Sequence, residues 1–111
     1  MTTSSHLLGS HLSIAGGYYK AAETAATLSM NTVQLFTKNN NQWLAKPIEP
    51  AESERFQAAI LEGQLVHPLS HSSYLLNCAS PDETLRAKSV EALVVEVERA
   101  ELLGIAWVVL H

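Results

Sequence analysis

Residues 80–111, SPDETLRAKSVEALVVEVERAELLGIAWVVLH, spell out one complete helix–strand unit. Ser80-Pro81-Asp82-Glu83 has the form of a capping box with proline at the first helical position. Val90, Leu93, Val94, Val97 and Ala100 recur at helical spacing, and Gly104 supplies the stop. IAWVVL then changes the period, its β-branched and aromatic residues predicting a buried strand that runs into His111. A buried strand that breaks off on its first chemically useful side chain predicts a chain cut short.

The same rhythm extends back to the N-terminus. LLGSHLS (Leu7 to Ser13) predicts a first strand, followed by Gly16-Gly17 and a helical stretch, YYKAAETAATLS. TVQLF (Thr32 to Phe36) predicts a second strand, and a polar loop leads to a helix from Pro50 to Leu61 closed by Gly63. LVHPLSH predicts a third strand, with Pro68 at an end, edge or bulge. A βαβαβαβ order implies parallel strands with crossover helices. Two closures fit, an open doubly wound sheet or part of a (βα)₈ barrel. SIAGGYYKA has adjacent glycines but neither G-x-G-x-x-G nor a Walker lysine, so the nucleotide-binding sheet lacks its signature. The expected fold is therefore α/β, parallel βα units forming the N-terminal half of a TIM (βα)₈ barrel, with residues 1–111 a single partial domain truncated at the end of strand 4.

At 111 residues, 47% hydrophobic and 16% charged, the chain is globular in composition and sized for one domain. One cysteine, Cys78, excludes a disulfide framework and a cysteine-built zinc site, and fits a reducing, cytoplasmic setting. No basic, apolar leader opens the sequence, and no apolar run approaches the roughly 20 residues of a membrane span. A net charge of −4 disfavours non-specific nucleic-acid binding by global charge, so any such contact must be local.

His11, His71 and His111 fall at or near the ends of strands 1, 3 and 4, which in a parallel barrel share one rim. Neutral imidazoles from separate strands are a common way to hold zinc. Taken singly, each is more readily a structural or surface histidine; three at one rim favour a site. His67, four residues before His71, is expected to be a hydrogen-bonded core histidine, and His6 a solvated terminal one. The eleven acidic residues all map to helices or their approaches, so no carboxylate is expected at a strand's C-terminal end. Histidines without an acid make an unfinished metal site.

Four motifs in order, GSHLSIAGG, LFTKNNNQW, HSSYLLN and LGIAWVVLH, resemble the N-terminal part of the endonuclease IV family of zinc-dependent apurinic/apyrimidinic endonucleases. The resemblance runs from Leu8 to the last residue. It implies a xylose isomerase-like (βα)₈ barrel with three zinc ions at the C-terminal rim, hydrolysing the phosphodiester 5′ to abasic sites by zinc-activated hydroxide. It implies zinc ligation by His71 and His111, on one ion, and places His11 close to the site without direct ligation. It also implies DNA contact by the loop holding Lys38, Asn39, Asn41, Gln42 and Trp43, and a wedge into the base stack by Tyr74 and Leu75. Family members often carry arginine where this chain has Asn41, a departure that removes a charge from the inserting loop. Without the resemblance, the asparagine run reads as a solvated turn, and Tyr74-Leu75 equally well as loop packing.

Three functions follow for testing. The first is the repair endonuclease, acting on DNA containing abasic sites and inactive as this fragment alone. The second is a fragment of a metal-dependent sugar isomerase-like barrel, which has less use for a long amide-rich loop. The third is a non-catalytic half-barrel that self-associates. In the half-barrel readings, Leu35, Leu69 and Val109 are expected on an inward face that lacks partner layers.

Overall fold

The computed structural model describes residues 6–111. Its elements run β1 (Gly9–His11), α1 (Tyr18–Thr27), β2 (Thr32–Phe36), α2 (Pro50–Glu62), β3 (Leu69–His71), α3 (Glu83–Leu102) and β4 (Trp107–Val109). The strands form one parallel sheet in the order β1-β2-β3-β4, so each βα unit adds its strand beside the last. This is the topology expected from the alternation, and four parallel strands with intervening helices are the first half of a TIM barrel.

Strand alternation divides the side chains between two faces. On one, Val33 and Leu35 join Ala21, Ala22 and Ala25 of α1, Phe56 of α2 and Ala100, Leu103 and Ile105 in one buried cluster, with Val108 packed against it. Full burial of its valine, leucine, isoleucine and phenylalanine side chains contributes roughly 1.5–3 kcal/mol each. Register sets Gln34 beside His11 and Leu69, and Phe36 beside His71, which aligns with Val109, on the opposite face. Leu35 is thus a helix-side core residue and not an inward one, because the pleat pairs it with Val33. Leu69 and Val109 do lie on the open face, where Trp107 is 57% exposed. Sheet spacing at β1 depends on Gly9, since a Cβ there would sit 2.1 Å from the Thr32 carbonyl oxygen.

Three sequence expectations are corrected. Helix α3 is capped by Asp82, whose carboxylate accepts from Leu85 N–H at 3.2 Å, while Ser80 forms a turn by accepting from Asp82 N–H at 3.1 Å. Either residue can cap, but Asp82 adds negative charge at the positive end of the helix dipole. The other end follows the glycine signal: Gly104 has φ +73°, and Ile105 N–H and Gly104 N–H return to the carbonyls of Ala100 and Glu101 in a Schellman closure. Second, of the apolar stripe of α3 only Ala100 is fully buried, while Val90, Val94 and Val97 are about half exposed, and Ser89, Glu96 and Arg99 take the buried face with it. Both stripes have helical periodicity, and the polar one has partners waiting. Third, β3 begins only at Leu69, after Pro68, which lacks an N–H. His67 lies outside the strand at φ +50°, exposed, with its carbonyl accepting from the Thr32 hydroxyl at 3.0 Å. It is not a core histidine. Among the described residues, no helix is long and apolar enough to cross a membrane.

Candidate functional site

Parallel strands deliver β1, β3 and β4 to the same end of the sheet, so His11, His71 and His111 converge there. The His71 and His111 Nε2 atoms lie 3.0 Å apart, and the His71 Nδ1 is 2.7 Å from the Ser72 carbonyl oxygen. A carbonyl can only accept, so the His71 Nδ1 carries the proton and its Nε2 presents a lone pair. This is the orientation that metal-ligating imidazoles require, with the distal nitrogen anchored by a backbone acceptor. Two imidazole nitrogens on one tetrahedral zinc, each about 2.0–2.1 Å from the ion, stand about 3.3 Å apart. In the metal-free pair the His111 Nε2–H therefore donates to the His71 Nε2, and accepting an ion needs the nitrogens to part by a few tenths of an ångström and that proton to move to the His111 Nδ1. The donor set is nevertheless incomplete: among the described residues no group of three or more His, Cys, Asp or Glu is arranged to hold a metal.

His11 has a different setting. Its ring stands edge-on to Phe36, 4.4 Å between centroids, and 6.3 Å from His71. Its Nδ1 lies 2.8 Å from Gln34 Nε2, so the amide donates and the proton of the neutral ring sits on Nε2. Burial and, second, the nearby His71 lower its pKa, which favours that neutral form. His11 is thereby a neighbour of the histidine pair with its bare nitrogen already engaged.

Two loops flank the pair. In the β3–α3 loop, Tyr74 is 63% exposed, packed edge-on to Phe36 and His71, and Leu75 is half-buried beside it. In the β2–α2 loop, Asn39, Asn41 and Gln42 are exposed, and Asn39 accepts from Asn41 N–H at 2.8 Å to shape the turn. Trp43 is half-buried, with the Lys88 ammonium 4.4 Å from its ring centroid. Lys38 is turned inward: it is buried, and its ammonium donates to the carbonyls of Asn39 and Gln42 within its own loop. Burial lowers its pKa, opposed by Glu96 and assisted by Arg99. The structure thus gathers the amides at the surface and uses the lysine as an internal brace. Beside this loop a cavity of about 860 Å³ opens, lined by Tyr19, Lys46 and Arg55 among others.

The sequence reading counted Glu96 among the helical acids and did not single out Arg99. Both are buried, at 1% and 7% exposure, and both reach back to the strand ends. The Glu96 carboxylate accepts from the Thr37 hydroxyl at 3.3 Å and from Ser73 N–H at 2.5 Å. Arg99 donates to the Thr37 carbonyl through Nε at 3.1 Å and through Nη2, to the Lys46 carbonyl at 2.6 Å, and to Tyr18 Oη at 2.8 Å. A carboxylate therefore does reach the rim, from a helix. The available signal was the spacing of Ser89, Glu96 and Arg99, which puts them on one helical face opposite the valines.

Comparison with known proteins gives a consistent picture. Residues 22–111 match the family described as xylose isomerase-like TIM barrel. The probable endonuclease 4 of Campylobacter concisus (strain 13826) is 42% identical over 106 residues, covering 94% of this chain and 38% of the relative. That of Geobacter sp. (strain M21) is 37% identical over 105 residues, covering 95% and 37%. The crystal structure of endonuclease IV from Thermus thermophilus superposes with a TM-score of 0.86 at 37% identity, over 93% of this chain and 39% of that one. The chain spans less than two fifths of the length of these relatives. On its sheet order, its motifs and these matches, the chain belongs to the xylose isomerase-like TIM barrel family, on the endonuclease IV side of it.

Proposed function

We propose that this chain supplies the first four strands and three helices of a DNA repair endonuclease that hydrolyses the phosphodiester 5′ to abasic sites. The observation that carries the reading is the His71–His111 pair, 3.0 Å between Nε2 atoms, flanked by an amide-rich loop and an exposed tyrosine at the same sheet end. In this reading His71 and His111 would hold one zinc ion of a three-zinc cluster, whose remaining carboxylate and histidine ligands lie outside these residues. Zinc supplies a Lewis acid that lowers the pKa of water to roughly 7 and offsets phosphate charge. The chain's own residues bind and orient. His71 is fixed in its ligating tautomer by the Ser72 carbonyl, and His11 lines the site as a neutral ring. Asn39, Asn41, Gln42 and Trp43 face the minor groove, where amides suit base edges and phosphates. Tyr74 and Leu75 enter the gap left by the missing base, where unstacking costs least. Lys38 acts by holding the loop's shape. The setting is cytoplasmic, where Cys78 stays reduced. The open face, with Trp107 exposed, associates with a second copy when the chain stands alone.

The test is binding of fluorescein-labelled duplexes, one with a single tetrahydrofuran abasic analogue and one intact. The chain is expected to prefer the abasic duplex, and equal affinity for both would overturn the reading. Zinc titration followed by the histidine ring NMR signals should move His71 and His111 together and be lost in His71→Ala. The zinc-loaded chain alone should not incise; incision above the His71→Ala control would show that the site needs no further ligands.

A further inference from the structure

Glu96 and Arg99 lie one helical turn apart on α3, so their side chains leave the same face. Neither lies in the β2–α2 or β3–α3 loop, yet between them they contact both. Arg99 spans the β2–α2 loop, donating to Thr37 at its start and Lys46 near its end. Glu96 spans the gap between loops, one oxygen taking the Thr37 hydroxyl and the other the Ser73 N–H. Ser73 closes the circuit by donating its own hydroxyl to the Asn40 carbonyl at 2.8 Å and accepting from Leu75 N–H at 3.3 Å. Thr37, Ser73 and Glu96 are all at least 97% buried, so water does not compete for these bonds. Buried charged groups are expensive unless fully bonded, and here, apart from Arg99 donating to Tyr18 Oη of α1, the bonds go to the two loops.

We propose that Glu96 and Arg99 are positioning residues that lock the β2–α2 and β3–α3 loops into one rigid jaw, fixing Asn41 relative to Tyr74. What the jaw grips rests on the DNA reading above; that the loops move as one body does not. Without the lock, each loop would sample its own conformations, and a ligand that must touch both would bear the ordering cost at the moment of binding.

Amide hydrogen exchange on the 111-residue chain reads the lock without DNA. Ser73→Ala removes only the hydroxyl link and leaves the Glu96 contact to Ser73 N–H in place. It is expected to speed exchange about tenfold at Asn41 and Gln42, across the gap from the substitution, as well as at Leu75. Glu96→Ala should do the same, and Glu96→Gln, which keeps a carbonyl for Ser73 N–H and an N–H for the Thr37 hydroxyl, should restore most of the protection. If Glu96→Ala fails to fold, Thr37→Val, which removes only the hydroxyl that Glu96 holds, decides instead: it should speed exchange at Leu75 across the gap, and acceleration confined to the β2–α2 loop would overturn the proposal. Acceleration confined to residues 73–76 would overturn the proposal. With abasic-analogue duplex, Ser73→Ala should weaken binding about tenfold, and adding Tyr74→Ala should cost no more than about a further twofold, since the wedge is already misplaced. Equal Tyr74→Ala losses in both backgrounds would overturn the proposal. A chain whose loops respond together but which binds both duplexes alike would support the lock and remove the DNA reading.

Discussion

The Thr37 carbonyl is the point on which the loop architecture can be tested thermodynamically. It belongs to a residue with no solvent exposure, and it accepts from Tyr18 Oη at 2.6 Å and twice from Arg99. Arg99→Met keeps most of the side-chain volume and removes the donors. The Thr37 oxygen would retain Tyr18, and the Lys46 carbonyl, on an exposed residue, would turn to water. No acceptor is orphaned, and the burial cost of a cation is relieved. The loss should therefore be modest, about 2–3 kcal/mol, the worth of one to two charge-assisted hydrogen bonds. Tyr18→Phe removes the other donor and leaves Arg99 in place, costing about 1 kcal/mol. The double variant differs in kind, because the buried oxygen then has neither donor. That adds the desolvation penalty of an unsatisfied acceptor, about 1–3 kcal/mol, beyond the sum of the single changes. Urea unfolding of the four proteins, followed by near-UV circular dichroism at constant protein concentration, measures the coupling. Losses that add within about 0.5 kcal/mol would refute the shared-acceptor account.

Other outcomes follow from single features. Gly9→Ala should disrupt the β1–β2 pairing, because its methyl would overlap the Thr32 carbonyl; backbone amide shifts at Gln34 and Leu12 would report it, and unchanged shifts would count against the packing. Phe56→Ala, at a fully buried ring, should cost about 3–5 kcal/mol by urea unfolding. Ser70→Ala should be neutral or stabilising by up to about 1 kcal/mol, since the buried Ser70 hydroxyl has no hydrogen-bond partner among the described residues; a clear loss would reveal one. Light scattering after size exclusion should show a dimer or larger species held through the exposed Trp107 and the α3 valines, and Trp107→Lys should shift it toward monomer.

The parallel βα order was legible from the chain alone because it depends on local signals: strand-forming runs, Pro50 at a helix start and Gly104 in the left-handed region at a helix end. The meeting of His71 with His111 also followed, since parallel strands must present their C-terminal ends together whatever the side-chain detail. What only the tertiary structure decided concerns which of two periodic faces is buried. On α3 the valines have the hydrophobicity, but Ser89, Glu96 and Arg99 have partners on neighbouring loops 12 to 62 residues away in sequence, and it is that face that went inside. Lys38 inverted for the same reason. Its position in a polar loop predicted solvent, yet the loop's own carbonyls from Asn39 and Gln42 turned inward to meet it. Hydrophobic periodicity is written in each segment separately. The satisfaction of a buried charge depends on which backbone groups the rest of the fold brings within about 3 Å of it, and that distance exists only in three dimensions.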